Sequence, residues 1–222
     1  MDEAEREKFA GFLLRMRGAG LDRRDLIAAI EATPRTSFVP SQWRADAWSD
    51  RSVPIECGET IEGIDLQMQA LAALDLQPGC RVLEIGTGSG YTAAVMARLS
   101  ARVLTLDRYK TLVELARQRH EALGISNIIV RQADGTLGAP AEGPFDRIIV
   151  WASYEELPRS FVDQISTGGV MVAAVGPAEG TQVMEKLAKL GSRFERTPFA
   201  QVRFQPMASG VAAAICNPDS EI

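Results

Sequence analysis

Histidine is almost absent from this chain: among 222 residues there is one, His120. A Ser-His-Asp triad or a multi-histidine metal centre would have to be built around that ring. It stands in the charged stretch Arg117-Gln118-Arg119-His120-Glu121, which reads as a solvated helix face, so neither is expected and no metal is assigned. Cysteine is scarce as well. Cys57, Cys80 and Cys216 are far apart and form no C-x-x-C, which argues against a disulfide framework and suits a reducing compartment. There is no long basic run, and 29 acidic against 24 basic residues leave a formal net charge of −5. Nucleic acid and anionic membranes are therefore not expected as principal partners. No apolar stretch approaches about 18 residues, and the acidic N-terminal segment lacks an apolar core of about 7–15 residues. The chain is expected to be cytoplasmic, with neither membrane span nor signal peptide.

With 46% hydrophobic residues the chain can bury a full core, and its length suits one domain over 1–222. Within it, 1–65 reads as N-terminal helices and a substrate-side loop, 66–192 as a core, and 193–222 as C-terminal edge strands and tail. The core is organised around Val82-Leu83-Glu84-Ile85-Gly86-Thr87-Gly88-Ser89-Gly90-Tyr91, an apolar strand that ends in an acid and runs through alternating glycines into a helix. Glycine permits positive φ and close approach of a ligand to the main chain, and N–H groups at a helix start attract an anion. A dinucleotide fingerprint would be G-x-G-x-x-G. The G-x-G-x-G spacing directly after an acid points instead to S-adenosylmethionine (SAM).

Residues 2–17 carry Phe9, Phe12, Leu13 and Met16 on a helical period. Asp22 can cap a second helix, which must stop near Thr33 because Pro34 disfavours helical geometry in the residue before it. The long irregular connection from Pro34 to Ile61 is expected to act as a substrate-side lid. Leu66, Ala70, Leu71 and Leu74 share a helix face. Strands then alternate with helices: Arg102 to Asp107, a helix from Tyr109 to Leu123, Asn127 to Val130, Phe145 to Val150, and Gly169 to Val175. These runs are almost wholly apolar, as in parallel strands covered on both faces. The fold class is α/β, a Rossmann-like doubly wound sheet with N-terminal helices. Phe194 to Val211 is expected to supply antiparallel edge strands. Asp107 lies about 20 residues beyond the glycines, where a ribose-binding carboxylate belongs.

These residues resemble protein-L-isoaspartate O-methyltransferases, which use SAM to methylate the abnormal carboxylate of isoaspartyl residues. The resemblance spans almost the whole chain. It is carried by Pro34-Arg35 with Phe38-Val39-Pro40, by Gly58 with Thr60-Ile61, and by Val82 to Tyr91 with Ala93-Ala94-Val95. Asp134-Gly135, Pro144 to Val150, and Val202-Arg203-Phe204 before Pro206 complete it. It implies that Gly86, Gly88 and Gly90 line the methionine end of SAM, that Asp107 holds the ribose, and that Asp134-Gly135 meets the adenine. Thr60, Ile61, Glu84, Thr87 and Arg108 complete the candidate cofactor set. Val53, Ile61, Trp151 and Tyr154 are the candidate acceptor contacts.

The family's active-site serine is replaced by Glu62, the candidate catalytic residue. A hydroxyl can donate to an isoaspartyl carboxylate, whereas an ionised glutamate cannot and repels it. Glu56, Glu59, Glu62 and Asp65 make the loop acidic, and Trp151-Ala152-Ser153-Tyr154 replaces a run of small residues. Three readings follow: the isoaspartyl reaction on a peptide; SAM-dependent transfer to an amine or hydroxyl of a small molecule or peptide; or SAM binding without catalysis. Oligomeric state is not legible.

Overall fold

The apolar stripe near the N-terminus does build the first helix. In a computed structural model that describes residues 3–212, α1 (Glu3–Gly18) turns Phe9, Phe12 and Met16 inward. The rings of Phe9 and Phe12 close on Trp48 at centroid separations of 5.0 and 5.8 Å. Cys216 and the tail lie outside the described residues. Helix α2 (Arg24–Glu31) ends before Pro34, but Asp22 does not cap it: the N-cap is Arg23, without a side-chain cap. The Arg23 guanidinium joins Asp25 and Asp75 at 2.5 and 3.2 Å. A cap contributes only about 1 kcal/mol, and here tertiary ion pairs set the helix start.

Between α2 and the next helix the chain forms three short 3-10 turns, Arg35–Phe38, Ser41–Asp46 and Glu56–Gly58. A small antiparallel hairpin, β1 (Val53–Pro54) with β2 (Thr60–Ile61), follows the second turn. Helix α3 (Ile64–Leu74) buries Ile64, Met68, Leu71 and Leu74. Then come β3 (Arg81–Ile85), α4 (Tyr91–Ala97), β4 (Arg102–Asp107), α5 (Lys110–Ala122), β5 (Ile128–Gln132), β6 (Phe145–Tyr154), α6 (Ser160–Gln164) and β7 (Ile165–Val175). Alternate residues of each strand enter opposite cores. Val82, Val103, Ile149 and Val172 join the core under α1 to α4, whereas Leu83, Leu104, Ile148 and Met171 join the one containing Phe161. Burial on both faces explains the continuous apolar strands.

The sheet order is β5-β4-β3-β6-β7-β8-β9, with the first five strands parallel. The antiparallel pair comprises β8 (Gln182–Leu190) and β9 (Arg193–Val202). Edge strands therefore begin about a strand earlier than expected. The segment Met184-Glu185-Lys186-Leu187-Ala188-Lys189-Leu190 consists of good helix formers, yet pairing with β7 and burial of Met184 and Leu187 in the two cores override that preference. Among the described residues beyond Val202 the chain makes only isolated bridges, at Pro206 with Ser153 and at Ala212 with Tyr109. It forms a strap over the C-terminal ends of the strands.

The reading of His120 as solvated surface is overturned. His120 is 3% exposed and shares the inner face of α5 with Leu112, Val113 and Ala116. Its Nε2 lies 2.8 Å from the Gly90 carbonyl oxygen. Burial lowers its pKa.

Candidate functional site

The crossover after β3 leaves its C-terminal end open, and the glycine loop turns there. The amides of Gly86 and Thr87 donate to Leu106 O at 2.8 and 3.2 Å, and that of Gly90 donates to Thr87 O at 2.8 Å. The Gly88 amide donates to Asp107 Oδ2 at 2.9 Å. These groups, expected to await an anion, brace the loop instead. The glycines have distinct steric reasons. A Cβ on Gly86 would lie 3.1 Å from Trp151 Cβ, and one on Gly90 would lie 2.8 Å from Ala116 Cβ. Gly90 thus seats the loop on α5.

The loop forms one wall of a cavity at the C-terminal ends of β3, β4 and β6, covered by the β1–β2 hairpin and the strap. Thr60, Ile61, Gly86, Thr87, Gly88, Asp107, Arg108 and Gly135 line it, as do Glu62 and Trp151. The other candidates do not stand in its wall. Val53 is buried and pairs with Ile61 across the hairpin. Tyr154 packs on Phe161, and its hydroxyl donates to Thr136 O at 3.3 Å. The Asp134 carboxylate accepts from Thr136 and from the Gly210 amide on the strap, and these bonds lower its pKa. It holds the strap next to Gly135. Glu84 is enclosed, and Gly90 faces α5.

Asp107 ends β4 and is 7% exposed. Its Oδ1 accepts from the Tyr109 amide at 3.0 Å and its Oδ2 from Gly88. Burial raises its pKa while these amides oppose the shift. Each oxygen keeps lone-pair capacity for a further donor. Beside it, Ile85, Leu106, Ala133 and Gly135 form an apolar wall. A Cβ on Gly135 would meet Ile85 at 2.4 Å, so this wall requires glycine. A carboxylate with spare acceptor capacity beside a flat apolar slot and a glycine loop suits the ribose, adenine and methionine parts of SAM.

On the other side, Arg35 in the first 3-10 turn is wholly buried. Its guanidinium lies 4.7 Å from the Tyr91 ring centroid, donates to Glu62 O at 2.6 Å, and donates to Gln67 Oε1. Burial lowers its pKa to about 10, with nearby Tyr91, Glu62 and Asp65 opposing that shift. Glu62 lines the cavity, and its carboxylate accepts from Ser52 at 3.2 Å. Burial raises its pKa, against the lowering effects of Ser52 and Arg35.

Sequence reasoning assigned no site role to Gln67, Tyr109 or the strap residues Gln205 to Ala208, all of which line the cavity. For Gln67 a signal exists. It stands on the inward stripe of α3 with Ile64, Leu71 and Leu74, and a polar residue on a buried stripe needs a partner. The strap has no comparable local signal.

Glycine loop, Asp107 and sheet order together define a SAM-dependent methyltransferase. Known proteins narrow this: the model of the protein-L-isoaspartate(D-aspartate) O-methyltransferase family matches residues 11–212, and the chain belongs to that family. A protein-L-isoaspartate O-methyltransferase of Rhizobium meliloti (strain 1021) is 44% identical over 200 residues, 90% of this chain and 98% of the relative. One from Azorhizobium caulinodans is 41% identical over 213 residues, covering 96% and 98%. A Plasmodium falciparum crystal structure, assigned to the same enzyme and in complex with S-adenosyl-L-homocysteine, aligns with a TM-score of 0.77 at 25% identity. It covers 89% of this chain and 97% of that one. Among the described residues no helix is long and apolar enough to cross a membrane.

Proposed function

We propose that the protein methylates the abnormal free carboxylate of isoaspartyl residues, the α-carboxylate left when the peptide bond runs through the side chain, in peptides and damaged proteins, as one methyltransferase domain acting in the cytoplasm. The observation that carries this reading is one cavity lined both by Asp107 and the glycine loop and by Glu62, Gln67 and Trp151. SAM supplies a methyl group on a sulfonium. The chain supplies alignment: Asp107 accepts from the ribose hydroxyls, the Gly135 wall flanks the adenine, and Gly86 and Gly88 leave room for the methionine end. Trp151 and the strap then confine the acceptor. A carboxylate is already ionised near neutral pH, with a reference pKa of about 4, so no general base is required. Well-oriented reactants gain roughly 7–11 kcal/mol, enough for positioning to dominate.

Family membership favours this reaction over transfer to an amine or hydroxyl, the reading prompted by the acidic loop. Burial of Glu62 raises its pKa and so disfavours the charged form that would repel an acceptor carboxylate. The test is transfer of tritium from methyl-labelled SAM to an isoaspartyl peptide beside its normal aspartyl twin and a panel of amines. Label on the isoaspartyl peptide alone is expected; label only on amines would reject the proposal.

A further inference from the structure

The geometry points to Gln67 as the group that binds the acceptor carboxylate in this chain, through its amide nitrogen. The inference rests on the isoaspartyl reading above and deepens it. With Glu62 in place of a hydroxyl, the acceptor end needs another neutral donor, and α3 brings one there. Gln67 follows the hairpin at the first turns of α3, is almost wholly buried and lines the cavity.

Its orientation is fixed by chemistry. A guanidinium can only donate, so the atom facing Arg35 Nη1 is the amide oxygen. The amide nitrogen is therefore the other arm. Among the described residues no acceptor takes a hydrogen bond from that nitrogen, and it is not among the sealed polar atoms lacking a partner. With the oxygen taken by Arg35 and Gln67 in the cavity lining, its N–H pair is the donor left for a ligand there. Arg35 is itself wholly buried and also donates to Glu62 O. One buried cation thus holds both the loop that carries Glu62 and the amide that faces the acceptor. A neutral amide donor selects a carboxylate oxygen without giving up a proton, and it works whether or not Glu62 is ionised.

Gln67→Glu tests this while keeping side-chain length and an oxygen partner for Arg35. Binding of an isoaspartyl peptide and of its neutral isoasparaginyl twin is measured by calorimetry with S-adenosyl-L-homocysteine present, alongside turnover of the isoaspartyl peptide. Gln67→Glu is expected to weaken carboxylate binding and kcat/KM by at least about tenfold, with the neutral twin and the S-adenosyl-L-homocysteine Kd within about twofold. Gln67→Met, which removes the donor without adding charge, is expected to give the same pattern and serves if the first variant does not fold. Equal losses for both peptides, or no loss for either, would overturn the role. Failure of the wild type to methylate isoaspartyl peptide would instead reject the underlying function, so the two failures are distinguishable.

Discussion

The indole Nε1 of Trp151 donates to Glu84 Oε1 at 3.0 Å, joining a residue of the acceptor wall to an acid that does not itself reach the cavity. Thr92 and Thr105 also donate to Glu84, at 2.5 and 2.7 Å, and Thr87 lies 2.7 Å from Thr105 Oγ1. The acid that opens the glycine motif therefore anchors the cavity walls from behind. Glu84 was expected to touch the cofactor; its position ties it to the wall residues Thr87, Thr92 and Trp151.

Burial pushes the Glu84 pKa up to about 7 against these three donors. The folded state then holds a proton that the unfolded state, with a reference near 4.3, releases. Glu84 thus favours folding at low pH, and this contribution is lost as pH rises from about 4.3 through about 7, by roughly 2–4 kcal/mol in all. Denaturant melts of wild type and Glu84→Gln across that range test this. The difference in stability between them should change with that slope, and a constant difference would show that Glu84 is ionised throughout.

Asp107→Ala is expected to weaken S-adenosyl-L-homocysteine binding by roughly 1–3 kcal/mol, the range for hydrogen bonds to a charged group or for partners left unpaired. It also releases the amides of Gly88 and Tyr109. Asp107→Asn keeps an acceptor and should recover part of the loss. An unaltered Kd in the alanine variant, read by calorimetry, would remove Asp107 from the cofactor site.

Two glycines of the motif should separate under substitution. A Cβ at Gly90 would press on Ala116 and His120, each at 2.8 Å, inside a packed helix contact. Gly90→Ala is expected to lower stability by about 1–3 kcal/mol. At Gly88 the nearest atom is Ile61 Cγ2 at 3.3 Å, on the hairpin over the cavity. Gly88→Val is expected to weaken cofactor binding more than it lowers the melting temperature. The reverse ordering, seen by thermal melts with and without S-adenosyl-L-homocysteine, would contradict these placements.

What was legible in the sequence was local. The glycine loop and Asp107 lie within two consecutive strand-turn units, and strands buried on both faces spell themselves out as apolar runs. Strand β8 was hidden because its helix-forming residues take their conformation from β7. His120 misled for a related reason: its sequence neighbours are charged, but the relevant neighbours are Ala116, four residues back, and the Gly90 carbonyl across the fold. The strap was illegible as a site component and the partnership of Arg35 with Gln67 could not be read either, although the polar Gln67 on the buried stripe of α3 signalled a partner, because long-range contacts bring each to the cavity.

Glu62 lines the cavity where the resembling family keeps a serine, and two carboxylates within a few ångströms in a desolvated pocket resist ionising together. Burial raises the Glu62 pKa, Ser52 and Arg35 oppose that shift, and among the described residues no cation forms an ion pair with its carboxylate. The sign follows from the reaction. Methylation needs the acceptor ionised and is helped by Glu62 in its neutral form, so wild-type kcat/KM for an isoaspartyl peptide should rise as pH falls through the Glu62 titration, which burial places above the ordinary glutamate range. It should fall again as the acceptor itself protonates near about 4. Glu62→Gln keeps the size, removes the charge and should flatten the upper limb. Glu62→Ser restores a hydroxyl and should raise turnover near neutral pH severalfold. Wild-type turnover that neither change improves, with the same pH profile in all three proteins, would place the Glu62 carboxylate away from the acceptor and leave recognition to the Gln67 amide.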